Sequence, residues 1–145
     1  MKTKEIESYD FEKVKNLLKK NGLPYVDLRS SKVTFLTSKS GSEIIGCIGI
    51  EKYGEDGLLR SFAVTEDSKN KGVGGKLFNK LIDKSKKDGI KRMHLLTTTA
   101  DQYFLKKGFK ISERIEAPKA IASSKEFSEI CPSTSIYMVK ELNFC

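Results

Sequence analysis

The chain has little of what several functional classes require. It holds one histidine, His94, and three cysteines, Cys47, Cys131 and Cys145, in 145 residues. An odd, widely spaced cysteine set gives no disulfide framework. With a single histidine there is no zinc constellation either, so no metal is expected. Reduced thiols fit a cytoplasmic protein. No apolar run reaches the roughly 18 residues that would span a bilayer, and the N-terminal MKTKEIESYD lacks the apolar core of a secretion signal. A cytoplasmic location without a membrane is expected. Arginine is scarce: Arg29, Arg60, Arg92 and Arg114 are four of 27 basic side chains. Readers of base edges lean on arginine. The net charge of +8 therefore reads as a lysine-covered surface that draws a polyanionic small ligand, not as a nucleic-acid interface. Repeats, low-complexity segments and linkers are also missing. The expectation is a single domain over residues 1–145.

What is present has two clear periods. KEIESYD reads as a first strand. DFEKVKNLLKKNG reads as a helix with Phe11, Val14, Leu17 and Leu18 on one face, Asp10 placed to cap its start and Gly22 past its end. NGLPYVDL makes a turn that leads to a short second helix. KVTFLTS, EIIGCIGIEKY and LLRSFAV read as consecutive strands joined by the turns KSGS and GEDG. LLRSFAV is apolar on both faces except at Arg60 and Ser61, which puts it in the middle of a sheet. A helix starts near Gly72, buries Val73, Leu77 and Leu81, and stops at Gly89. IKRMHLLTTT is a buried strand. TTADQYFLKKGF is a short helix with a threonine cap and a stop at Gly108. APKAIASS is helical with Pro118 in its first turn, and STSIYMVKEL closes the sheet. The order β-α-β-β-β-α-β-α-β, with a hairpin meander and later crossovers, implies a mixed α/β sheet.

The segment from Lys69 to Gly75, KNKGVGG, stands between a strand and a helix. A helix N-terminus offers unpaired N–H groups and a partial positive charge. Glycines let that backbone approach phosphate oxygens closely. Lys69, Lys71 and Lys76 add charge, and a diphosphate is a good match. A plain glycine-rich helix start is the alternative. Neither a Walker-type loop nor the dinucleotide G-x-G-x-x-G fingerprint is present.

SFAVTEDSKNKGVGGKL followed by YFLKKGF (Tyr103 to Phe109) resembles the GNAT superfamily of N-acetyltransferases. Lys69 stands where those proteins usually carry arginine or glutamine. The resemblance implies the acyl-CoA N-acyltransferase fold, of class α/β (α+β): a mixed central sheet of about six or seven strands flanked by about three to five helices. It also implies acetyl-CoA. The backbone of Lys69, Asn70, Lys71, Gly72, Val73, Gly74, Gly75 and Lys76 would hold its diphosphate. The strand edge Phe62-Ala63-Val64 would pair with the pantetheine arm, and Phe104 and Lys107 would also meet the cofactor. The thioester would lie where the LLRSFAV and RMHLLTTT strands diverge. ERIEAPKAIASSKEFSEICPS, with the two stretches LLRSFAV and LLTTTADQYFLKKGF, is similar to acetyltransferases encoded with arsenic-resistance genes. More distantly, it is similar to the amino-acid N-acetyltransferase domains that make N-acetylglutamate.

Acetyl transfer needs a neutral amine, a donor for the developing oxyanion and a proton for the departing thiolate. By resemblance the N–H of Phe62 or Val64 is the oxyanion donor. Many family members carry a proton-donating tyrosine four residues before the glycine of x-G-F. Phe104 stands there, and Tyr103, one residue earlier, is turned by about 100° on a helix. Either solvent protonates the thiolate or the acid comes from elsewhere; Cys131, Ser133 and Ser135 are candidates, with plain loop or strand packing as their other reading. Arg60 in an apolar strand needs a partner. It is either a clamp for an anionic group of the substrate, aided by Ser61, or one half of an internal ion pair with Glu43 or Glu51. Thr97, Thr98 and Thr99 hydrogen-bond the substrate or pantetheine, or one of them caps a helix, and His94 reads as structural. Lys106 and Lys107 meet a ribose phosphate or favour their helix C-terminus. The partners are then acetyl-CoA and a small anionic amino acid or arsenic-containing analogue, with homodimer formation left open. The rivals are glutamate acetylation, a non-catalytic acyl-CoA-binding module and a nucleic-acid-binding domain.

Overall fold

Alternation in the sequence becomes one twisted sheet. The computed structural model describes residues 2–5, 10–25, 33–125, 127–128 and 134–142. Its strands are Lys2–Glu5 (β1), Thr34–Ser40 (β2), Glu43–Tyr53 (β3), Asp56–Val64 (β4), Arg92–Thr97 (β5), Lys110–Ser112 (β6) and Ile136–Glu141 (β7). Its helices are Phe11–Lys20 (α1), Val73–Lys87 (α2), Asp101–Lys106 (α3) and Lys119–Ala122 (α4). The strands lie in the order β1-β2-β3-β4-β5-β7-β6. All neighbours are antiparallel except β4 and β5, which run parallel. The crossover α2 makes that parallel pairing possible.

Alternate residues of each strand serve opposite faces. Ile48, Ile50, Leu59, Met93, Leu95 and Met138 bury against Val73, Leu77, Phe78 and Leu81 of α2 and Phe104 of α3. Gly46 of β3 lets α2 come close, because a Cβ there would stand 2.9 Å from side-chain carbons of both Leu77 and Val73. On the other face Val14, Leu17 and Leu18 of α1 pack on Phe35, Cys47 and Ala63. Ile121 of α4 packs with Leu58, Phe127 and Tyr137. Each valine, leucine, isoleucine, phenylalanine or methionine among them contributes about 1.5–3 kcal/mol when taken from water.

Three local expectations are corrected. Asp10 occupies the N-cap position of α1 but makes no side-chain cap bond. Its buried carboxylate pairs with Lys39 Nζ at 2.6 Å instead, since a buried charge gains more from a formal opposite charge than from a backbone amide. The N-cap of α3 is Ala100 rather than a threonine; Thr97 Oγ1 accepts the Ala100 N–H at 2.9 Å, one turn earlier. The three-residue strand β6 was not expected. It pairs with β7 through Lys110↔Val139, Ile111↔Met138 and Ser112↔Tyr137. The expected short helix after Pro24 runs into residues 26–32, which lie outside the described residues.

Candidate active site

Two irregularities in the middle of the sheet make the candidate site. The first lies between β3 and β4. Their register passes from Gly49↔Arg60 to Cys47↔Ala63, so Ile48 faces both Ser61 and Phe62. This is a β-bulge. Ser61 takes φ +57°, in the left-handed region, where a non-glycine residue stores about 1–3 kcal/mol. The second lies between β4 and β5, which pair only through Asp56↔Arg92, Gly57↔Met93 and Leu58↔His94. Beyond Leu58 the strands part, and the β5-facing edge of Arg60 to Val64 has no strand partner among the described residues.

The segment after β4 leads directly to α2. Gly72, its N-cap, has φ +82° and supplies no side-chain cap. A side chain would strain that turn, and its absence leaves the amides of the first helical turn open. A Cβ at Gly72 or at Gly75 would meet nothing within 4 Å, so there is room above the backbone. At Gly74 it would stand 3.4 Å from the Phe62 ring, so the helix start is seated on the strand edge. Lys71 and Lys76 are exposed. Asn70 also has positive φ, +66°, and Lys69 pairs with Glu66 at 2.7 Å. The hydroxyl of Thr65, just before this segment, is buried without a hydrogen-bond partner among the described residues. Open amides, space and cations together fit a diphosphate.

Phe62 joins the strand edge to α3. Its ring stands edge-on to Tyr103 at 5.9 Å and tilted against Phe104 at 6.2 Å. Phe104 is buried in the main core, while Tyr103 is exposed. Partial burial nonetheless pushes the Tyr103 phenol upward. Lys107 lies over the rings of Phe78 and Tyr103 at 5.6 and 5.5 Å. Thr97 stands across from Ile136 at the end of β5, and Thr98 and Thr99 are exposed beyond it. Ser135 precedes Ile136, and its buried hydroxyl has no partner among the described residues. Cys131 and Ser133 lie outside the described residues.

Arg60 is the residue whose surroundings differ most from an open clamp. It is 3% exposed. Its guanidinium donates to Glu51 Oε2 at 2.9 Å and to Ser61 Oγ at 3.1 Å. Tyr53 donates to the other Glu51 oxygen. Of the two readings of Arg60, the internal ion pair is the one present, and its partner is Glu51 rather than Glu43. A carboxylate two residues along the neighbouring strand satisfies the guanidinium more cheaply than a ligand that comes and goes.

A second polar chain lies on the same face and was not anticipated as a unit. His94 Nε2 is 2.7 Å from Asp56 Oδ1, and His94 Nδ1 is 2.7 Å from Tyr137 Oη. The carboxylate can only accept, so Nε2 carries the proton and Nδ1 accepts from the phenol. Arg92 Nε also meets Asp56, at 3.1 Å. Burial lowers the His94 pKa from 6.5, against the raising effect of Asp56. Burial, with the Asp56 charge, pushes the Tyr137 phenol up to about 12. The imidazole is therefore held neutral.

A cleft of about 960 Å³ opens between α1 and the end of β4, lined by Lys13, Lys20, Glu43, Thr65 and Lys69 among others. It lies on the β3 side of β4, away from the fork with β5.

The fork and the bare helix start lie within the part of the chain, residues 4–109, that matches the model of the Acetyltransferase (GNAT) family. The chain belongs to the GNAT acetyltransferase family. Among curated proteins this GNAT chain is similar to an amino-acid acetyltransferase of Neisseria meningitidis serogroup A, with 28% identity over 78 residues, 52% of this chain and 18% of the relative. An amino-acid acetyltransferase of Ralstonia nicotianae is 31% identical over 68 residues, 46% of this chain and 15% of that one. The chain thus spans less than a fifth of the length of these relatives. Among solved structures, N-acetylglutamate synthase from Neisseria gonorrhoeae, complexed with coenzyme A and L-arginine, superimposes with a TM-score of 0.78 at 21% identity. That match covers 99% of this chain and 33% of the other. Tetrahymena GCN5 superimposes with a TM-score of 0.81 at 18% identity, over 99% of this chain and 97% of its own. At these identities the structural likeness speaks for the GNAT fold.

Proposed function

We propose that the chain is an acetyl-CoA-dependent N-acetyltransferase for the amine of a small anionic amino acid or an arsenic-containing analogue of one. The observation that carries the first half is the fork between β4 and β5, opening beside a helix start that is bare of side-chain caps. Acetyl-CoA, when bound, supplies an acetyl group activated as a thioester. The amides from Lys69 to Gly75 bind its diphosphate, with Lys71 and Lys76 adding charge. The open edge Phe62 to Val64 hydrogen-bonds an amide-rich arm as an added strand would. The Phe62 N–H orients and stabilises the negative charge that develops on the carbonyl oxygen. Phe104 has no proton to give, so the thiolate takes its proton from solvent or from another hydroxyl of the site, for which Ser135 is a candidate.

The acceptor is supported by the similarity to amino-acid acetyltransferases and by the arsenic-type stretch from Glu113 to Ser133. Because Arg60 is engaged with Glu51, an anionic acceptor is drawn by the net charge of +8 and hydrogen-bonded by the threonines at the end of β5. The test is calorimetry with acetyl-CoA followed by turnover on a panel of amines. We expect binding of acetyl-CoA and turnover of an arsenical or phosphonate analogue of glutamate. Turnover of glutamate without the analogues would decide for ordinary amino-acid acetylation. Binding with no transfer to any amine would leave a non-catalytic acyl-CoA-binding module, a reading favoured by the phenylalanine at position 104.

A further inference from the structure

The bulge at Ser61 is held from two sides by buried groups. Cys47, which faces Ala63 across the ladder, donates its thiol to the Ser61 carbonyl at 3.2 Å. The Ala63 amide in turn hydrogen-bonds the same sulfur. Burial keeps this thiol protonated, with its pKa pushed up to about 12. Arg60 Nε donates to the Ser61 hydroxyl at 3.1 Å, and Arg60 is itself fixed by Glu51, which is fixed by Tyr53. The carbonyl and the side chain of the strained residue are tied, and so is the amide of Ala63 two residues on.

In a trans peptide the C=O and the next N–H point in opposite directions, and the chain has no cis bond among the described residues. Drawing the Ser61 carbonyl toward Cys47 on β3 therefore turns the Phe62 N–H away from β3, toward the side where β5 has parted from β4. An unbraced serine has every reason to return to an extended conformation. It would then carry the peptide plane with it.

We propose that Cys47 and the Arg60–Glu51–Tyr53 chain are positioning residues that hold Ser61 in its left-handed conformation, and so aim the Phe62 amide into the fork. The proposal rests on the reading of the fork as the acetyl-transfer site. It gives Arg60 a role without substrate contact and gives the buried cysteine a task beyond packing.

The test is a pair of substitutions read in two backgrounds. Cys47→Ala in the natural sequence is expected to lower kcat by about ten- to a hundredfold, the range for a misaimed transition-state donor, with little change in KM. In a Ser61→Gly background, where positive φ is free of strain, the same Cys47→Ala change is expected to lower kcat by less than about threefold. Arg60→Lys, which keeps the charge and loses the planar fork, should show the same dependence on background. It also serves if Cys47→Ala fails to fold. Equal losses in both backgrounds, or a loss carried by KM, would overturn the proposal. So would a loss of thermal stability with kcat intact. Acetyl-CoA binding by calorimetry is measured on every variant. If the unmodified protein fails to bind, the acetyltransferase reading itself falls; if the variants bind normally, a change in kcat that shrinks in the Ser61→Gly background belongs to the brace.

Discussion

Two buried polar chains lie on one face of the sheet, and they do opposite things with charge. Tyr53, Glu51, Arg60 and Ser61 form one, running from β3 to the part of β4 just past its last pair with β5. Asp56, His94 and Tyr137 form the other, where β4 and β5 are still paired. The first is built on a guanidinium, which stays charged at any pH a protein survives. The second is built on an imidazole kept neutral by burial. A permanent cation suits a place where backbone geometry must not vary. A neutral imidazole suits a closed part of the sheet, where an added proton would have to be buried. The difference separates a group that fixes shape from one that ties stability to pH.

The largest effect should come from breaking the first chain on one side only. Glu51→Ala leaves the Arg60 charge buried without its carboxylate, and we expect a loss of about 3–5 kcal/mol in urea unfolding. Replacing both partners together, as Glu51→Leu with Arg60→Met, should restore most of that stability, since a packed apolar pair substitutes well for a buried ion pair. If the single and double variants lose the same amount, the pair is not the unit described.

The second chain should show itself through pH. The folded pKa of His94 lies below its unfolded value of 6.5. As pH falls through that value, the unfolded chain takes up a proton that the folded chain refuses. Stability is therefore complete above about pH 6.5 and declines below it. His94→Gln should flatten this decline in melting curves taken between about pH 7 and pH 5, at a cost of about 1–3 kcal/mol for the buried hydrogen bonds disturbed. The Arg60–Glu51 variants should leave the slope in this window unchanged.

The smallest expected change concerns neither chain but the helix start beside them. A Cβ at Gly75 meets nothing within 4 Å, so Gly75→Ala should raise stability by about 0.5–1 kcal/mol through helix propensity. The same methyl would stand in the space read as the diphosphate site. Calorimetry should find weaker acetyl-CoA binding in a protein that melts higher. Unchanged binding would move the diphosphate elsewhere.

Local patterns carried the framework into view. The alternation of KVTFLTS, the β-rich apolar runs EIIGCIGIEKY and LLRSFAV, and the helical spacing of Val73, Leu77 and Leu81 are short-range signals with a direct physical cause. The glycine stop after α2 and the bare cap at Gly72 are equally local. What stayed hidden depends on partners far along the chain. His94 meets Asp56 and Tyr137, 38 and 43 residues away. Asp10 is an ideal capping residue by type, yet Lys39 takes its carboxylate. Strand β6 has three residues with two of them exposed, too few to alternate visibly. The bulge is the deepest case. Serine gives no hint of positive φ, and only the register shift against β3 discloses it. Arg60 was recognisable as needing a partner, but choosing Glu51 over Glu43 needed that same register.

Only three residue pairs sew β4 to β5, so the ladder is narrowest between β1 to β4 on one side and β5 to β7 on the other. A ligand whose amides complete the missing rungs is then part of the sheet's own ladder. Occupancy and cohesion become one quantity, and resistance to unfolding should climb logarithmically with coenzyme concentration. Backbone amides along Arg60 to Val64 should be the ones whose hydrogen exchange slows first.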